Sequence, residues 1–139
     1  MTTISDLIFK LTALGYGAYN VTLFQGSKAV IPVTPGPFIS LILTGGQAEE
    51  GTHNLSRFTV AYDRPSVQVV SRAEDPDVAL NTINSLYVDL SFVDEFINGT
   101  WWRSCAPKQP PFELGVDEKQ RMRFAFNIEI VKRLSPATS

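Results

Sequence analysis

The sequence predicts an α+β fold: a single mixed or antiparallel β-sheet of about four or five strands, two helices packed on one of its faces, and long loops. Three observations lead there. Apolar residues recur at Ile4, Leu7, Ile8, Leu11 and Leu14, the spacing of a helix with one buried side. Val78, Ala79, Ile83, Leu86, Tyr87 and Leu90 share one helical face behind Asp75-Pro76. Met122, Phe124, Phe126, Ile128 and Ile130 alternate with Arg121, Arg123, Ala125, Asn127 and Glu129, the period of a strand with one dry and one wet face. The 139 residues form a single domain (1–139), since one core commonly takes about 100–200 residues.

Taken in order, the first helix has Ser5 ahead of Asp6 as its cap and Gly15 and Gly17 as its stop. A strand follows at Asn20 to Phe24. Pro32, Pro35 and Pro37 then make a rigid, extended lead-in, because proline fixes φ and removes a donor. The next strand is Phe38 to Thr44, closed by Gly45-Gly46. Residues 45–57 have only Ala48 and Leu55 as apolar groups and no period, and read as a long exposed loop. Phe58 to Tyr62 is a short strand or extended arm, Asp63-Arg64-Pro65 a turn, and Ser66 to Arg72 a strand.

Asp75 caps the long helix and Pro76 suits its first position. It runs to about Leu90. Ser91 to Ile97 is left unassigned, and Asn98-Gly99 marks a turn. Thr100 to Cys105 is a strand, broken by Pro107, Pro110 and Pro111. Phe112 to Glu118 reads as a loop, and the last strand begins at Met122. The tail, 135–139, reads as frayed.

Composition narrows the chemistry. Twelve basic against fourteen acidic residues leave a net charge of -2, which disfavours a protein that grips nucleic acid by its phosphates. One cysteine, Cys105, leaves no intramolecular disulfide and no multi-cysteine zinc site. Neither a secretory signal nor an apolar run long enough to span a membrane is read at any point. No cofactor or metal is expected: glycine-rich phosphate cradles are missing, and Asp117-Glu118-Lys119 is too short for a calcium loop.

Candidate side chains point to contact rather than turnover. His53, between Thr52 and Asn54, reads as a solvated loop histidine, with Glu49 and Glu50 near it in sequence. The carboxylate pairs Glu49-Glu50, Asp75/Asp77, Asp94-Glu95 and Asp117-Glu118 all fall at helix ends or in loops, where acids cap or are solvated. Cys105 reads as a buried structural thiol. Trp101 and Trp102 are strand neighbours and so point to opposite faces. One can fill the core while the other faces outward or lies under a partner; alternatively a helix and a loop cover both. The candidate assembly contacts are therefore Glu49, Glu50, His53, Trp101 and Trp102. No catalytic residue is assigned, and the chain is not expected to be an enzyme.

From Phe38 onward, over about two-thirds of its length, the chain resembles the tail terminator proteins of long-tailed bacteriophages, often labelled minor capsid or minor tail proteins. Ile42-Leu43-Thr44-Gly45-Gly46 is similar to that family's strand followed by a glycine pair. Tyr62-Asp63-Arg64-Pro65-Ser66-Val67-Gln68-Val69-Val70-Ser71-Arg72 resembles its acid-Arg-Pro segment and Val-Gln-Val strand. Asp75 to Leu90 matches its long helix. Pro111-Phe112-Glu113-Leu114-Gly115-Val116-Asp117-Glu118 resembles its Pro-x-x-Leu-Gly-x-Asp-Glu turn, and Met122 to Ile130, with Asn127, its closing strand. Arg72-Ala73-Glu74-Asp75-Pro76 departs from it, since the family often has a glycine and an aromatic before the helix.

The resemblance implies a structural virion protein. It would form a ring, a hexamer in the family, on the head-proximal end of the tail tube. Its partners would be copies of itself, the major tail tube protein and a neck or head-completion protein. DNA would pass through the lumen without sequence-specific binding, and no membrane is involved. A head-tail connector or stopper of the neck is the nearest alternative. A small ligand-binding or catalytic α+β domain is a further one, and would show a deep pocket with convergent polar groups.

Overall fold

The computed structural model describes residues 3–26, 31–32, 36–50 and 62–133, with backbone alone for 46–50. The elements run α1 (Thr3–Ala13), β1 (Leu23–Gln25), β2 (Phe38–Glu50), β3 (Tyr62–Ala73), α2 (Pro76–Asp89), β4 (Phe92–Ile97), β5 (Thr100–Pro107), β6 (Phe112–Val116) and β7 (Met122–Arg133). The fold is thus α+β, with seven strands among the described residues rather than four or five.

The sheet order is β1-β2-β3-β7-β5-β4. Among the described strands only β1 pairs in parallel, with Leu23 opposite Ile39. The C-terminal strand β7 lies inside the sheet. β3 lines one side of it, through pairs such as Val69↔Phe126. On its other side β5 pairs with the second half and β6 with the first. Across the proline-rich 107–111 segment the Lys108 N–H donates to the Asn127 carbonyl at 2.8 Å, and the Asn127 N–H donates to Gln109 Oε1 at 3.3 Å.

Both helices cover the same face. Ile4, Leu7 and Leu11 of α1 and Ile83 and Leu86 of α2 join Leu41, Val67, Val69, Phe126, Ile128 and Ile130 of the sheet in one core. Each fully buried aliphatic or aromatic side chain contributes about 1.5–3 kcal/mol over its exposed state. α1 ends in a Schellman pair: the Tyr16 N–H donates to Leu11 and the Gly15 N–H to Thr12. α2 begins as expected, with the Asp75 carboxylate accepting from the Asp77 N–H at 2.9 Å and Pro76 in the first turn. The Ser71 hydroxyl donates to the Ala79 carbonyl at 3.0 Å and ties α2 to β3. No described helix is long and apolar enough to cross a membrane.

The structure corrects several expectations. Residues 45–50 extend β2 instead of opening a loop, with a register shift at Gly45. Residues 51–61, which carry His53 and the start of the expected 58–62 arm, lie outside the described residues, as does the 135–139 tail. Asp63-Arg64-Pro65 is not a turn but part of β3. Pro65 is tolerated in this inner strand because the β7 ladder passes from Asp63↔Lys132 to Ser66↔Glu129 without using it. Phe112 to Val116 is a strand, and so is Phe92 to Ile97. The strand expected at Asn20 to Phe24 is confined to Leu23–Gln25, and Ser5 lies inside α1 rather than capping it.

Candidate functional site

The helices cover one face of the sheet; the reverse face is buried at one end, around Phe24, Phe38, Ser40, Val70 and Ala125, and open and more polar towards the other. Along β3 that face holds Tyr62, Arg64, Ser66, Gln68, Val70 and Arg72; along β7 it holds Arg123, Ala125, Asn127, Glu129 and Val131. Thr44, Arg64, Ser66, Gln68, Lys108 and Asn127 line a broad cleft of about 560 Å³ there. Beside it Tyr62, Arg64, Val93, Asp94, Arg103 and Val131 line a hollow of about 430 Å³. The Arg103 guanidinium lies 5.9 Å from the Tyr62 ring centre. Both signs of charge line this surface, Arg64, Arg103 and Lys108 beside Asp94 and Glu129, which suits ionic and hydrogen-bonded contacts. Among the described residues, no group of three or more His, Cys, Asp or Glu side chains is placed to hold a metal.

One end of this face is aromatic. Phe92 and Ile97 both pack on the helix side although they are five residues apart, so β4 holds one residue too many. Asp94, at φ 51°, absorbs it. β5 compensates with Arg103, at the register shift between Trp102 and Ser104. Val93, Phe96 and Trp101 therefore share the uncovered face. Val93 and Phe96 are 67% and 64% exposed, and Trp101 is 36% exposed, its ring 6.4 Å from that of Phe96.

The opposite end is held by Asp117. Its carboxylate accepts from the Lys119 and Arg121 amides at 2.9 Å, from Arg121 Nε at 3.0 Å and from Arg72 Nη1 at 3.0 Å. Burial pushes this carboxyl up, but the two amides and the Arg121 guanidinium outweigh it, leaving it below the usual carboxylate range. Burial also pushes the Arg72 guanidinium down, partly offset by Asp117. Arg123, across the ladder from Arg72, donates from Nη2 to the Leu114 carbonyl at 3.3 Å. The buried Nε atoms of Arg72 and Arg123 have no hydrogen-bond acceptor. Gly115, at φ 88°, makes the bulge that aims Asp117 inward, which gives the Leu-Gly-x-Asp-Glu pattern a structural reason.

The sequence-derived candidates separate. Trp102 is fully buried on the helix side and has no surface to lend to a neighbour. Its indole N–H donates to Asp6 Oδ2 at 3.3 Å, and Asn98 donates to Asp6 Oδ1 at 3.4 Å. Lys132 lies 6.0 Å from the Trp102 ring; burial pushes its ammonium down, while Asp6 and Asp63 hold it up. This group is the internal clamp of α1. Trp101 alone of the pair faces outward. Glu50 pairs its backbone with Tyr62 at the far end of the β2–β3 arm, and Glu49 lies beside it on β2. Glu95 turns to α1 and binds Lys10 at 2.6 Å, away from Asp94. Cys105 is buried, and that burial pushes its thiol to about 12.

Sequence reasoning missed Arg103, Lys108, Val93 and Phe96 as members of this face. The available signal was an unequal charge distribution: residues 73–102 contain Glu74, Asp75, Asp77, Asp89, Asp94 and Glu95 but no lysine or arginine. No protein-family model matches the chain, and no curated protein matches it.

Proposed function

We propose that this protein is a structural subunit of a phage tail, which forms a ring on the head-proximal end of the tail tube, ends tube polymerisation and presents a docking surface to the neck. One observation supports this most: the outer side of the helices, with Phe9 and Val88 exposed, and the open end of the reverse sheet face, with Val93, Phe96 and Trp101 exposed, are two different surfaces on opposite sides of the sheet. A head-to-tail interface needs two different patches, and it closes into a ring when its rotation closes. The tail-terminator resemblance of the Asp63-Arg64-Pro65 strand and of the Leu114 to Glu118 turn supports the same reading.

In this mechanism one rim of the ring matches the last ring of tube subunits and the other rim does not, so growth stops. Trp101 and the β2–β3 arm, with Glu49, Glu50 and His53, are the proposed contacts. The test is electron microscopy of purified protein mixed with tail tubes. Sixfold density on one end of each tube is the expected result. Bare tubes, or binding only to the portal side of heads, would reject the terminator reading, the latter in favour of a neck stopper. Alanine at Glu49, Glu50 and His53 together should disturb tail length or ring formation; unchanged tails would remove that arm from the contact set.

A further inference from the structure

We infer that Arg72 and Arg123 together bind a small, doubly charged oxyanion of the phosphate class beside the Asp117 turn. This site is independent of the ring reading.

Strand pairing brings two like charges together. Arg72 on β3 and Arg123 on β7 are direct partners across the ladder, so their side chains leave the same face of the sheet. Like charges placed directly opposite destabilise a strand pair. Arg121, just before β7, adds a third guanidinium. The carboxylate that serves this group is that of Asp117, divided between Arg72 Nη1 and Arg121 Nε at 3.0 Å each. Arg123 has no ion pair among the described residues; its Nη2 donates to the Leu114 carbonyl at 3.3 Å. Residues 27–30, 33–35 and 51–61 contain no Asp or Glu, and Glu50 pairs its backbone with Tyr62 at the far end of β2.

Burial makes this excess of positive charge costly. The Nε atoms of Arg72 and Arg123 are buried without an acceptor. Burial first, and then the charges of Arg121 and Arg123, push the Arg72 guanidinium down against the pull of Asp117. A guanidinium held away from bulk water without a counter-charge is destabilising, and an anion supplies the missing charge. Arg72 uses Nη1 on Asp117 and Arg123 uses Nη2 on Leu114, which leaves Arg72 Nη2 and Arg123 Nη1 unused and open to solvent. Guanidinium donors of this kind match the oxygens of phosphate or sulfate.

Exposed acids set the size of the ligand. Glu74 follows Arg72 by two residues, Glu113 precedes Leu114 and Glu118 follows Asp117, all of them exposed. Water screens these carboxylates, so they do not neutralise the arginines. They do repel a long polyanion. A free tetrahedral dianion fits here, and a nucleic-acid backbone does not. Bound there, the anion bridges β3 and β7 and stabilises the folded chain as its concentration rises.

The test is thermal unfolding of the full chain at neutral pH in sodium phosphate, with sodium chloride adjusted to hold the ionic strength constant. The midpoint should rise by on the order of 5–10 °C once phosphate exceeds its Kd about a hundredfold. Sulfate should act likewise and chloride should not. Arg123→Gln should weaken phosphate binding by about tenfold or more. Arg123→Lys keeps the charge but not the planar fork; it should weaken binding too, and it serves if Arg123→Gln does not fold. Salting-out also raises the midpoint, but without a millimolar half-point and equally in wild type and variants. A midpoint indifferent to phosphate at constant ionic strength, or a rise identical in wild type and the Arg123 variants, overturns the site. A short DNA duplex in the same assay should leave the midpoint unchanged; a larger shift than with phosphate overturns the assignment to a free anion.

Discussion

Removing the carboxylate of Asp117 tests how the cationic end of the sheet is held. In Asp117→Ala, four donors lose one acceptor: two backbone amides, Arg121 Nε and Arg72 Nη1. The Asp117 side chain is 7% exposed and that of Arg121 4%, so water replaces little of what is lost. Breaking one partner out of a buried ion pair costs about 3–5 kcal/mol. That is a large part of the stability of any domain, about 5–15 kcal/mol. Asp117→Asn keeps an oxygen for the amides but turns an NH₂ toward an arginine, and should lose about 1–3 kcal/mol. Urea unfolding at neutral pH measures both. The acid limb supplies a second reading. The folded carboxyl titrates below its unfolded value of about 3.9, so its contribution is complete above that pH and fades as the pH falls through the folded-state value. The gap between wild type and Asp117→Ala should therefore be widest near neutrality and shrink in acid. A neutral-pH difference under about 1 kcal/mol, or a gap that does not shrink, would refute the assignment of Asp117 as the hub of this turn.

Two further outcomes follow from burial. Trp102→Phe leaves the fully buried Asp6 without its indole donor and should cost about 1–3 kcal/mol in urea unfolding, whereas Trp101→Ala, which loses mainly the ring contact with Phe96, should cost no more than about 1 kcal/mol. Equal losses would contradict the opposite facing of the pair. Cys105, with its thiol pushed to about 12, should resist a thiol-specific reagent at mildly alkaline pH and react once denaturant is added; rapid labelling of the native protein would contradict its burial.

The parts of the fold that were legible share one property: their signal is local and periodic. The Met122 to Ile130 alternation places Phe126, Ile128 and Ile130 in the core. Asp75-Pro76 marks the start of α2 because a cap and a first-turn proline act within a few residues. Strands β4 and β6 stayed hidden because inserted residues at Asp94 and Gly115 break the two-residue period, and both lie where one side of the strand is open to water. Pro65 misled for a related reason: proline argues against an inner strand unless the ladder skips it, and that is a property of β7, more than sixty residues away.

The sequence by itself determined the helices and the alternation of the closing strand, since each depends on neighbours a few residues apart. Only the tertiary structure decided that β7 lies within the sheet, that Trp101 and not Trp102 faces outward, and that Arg64, Arg103 and Lys108 line the reverse face of the sheet with Asp94 and Glu129. Those facts come from strand pairing and bulges, which join residues far apart in the chain, and no local period encodes such partners.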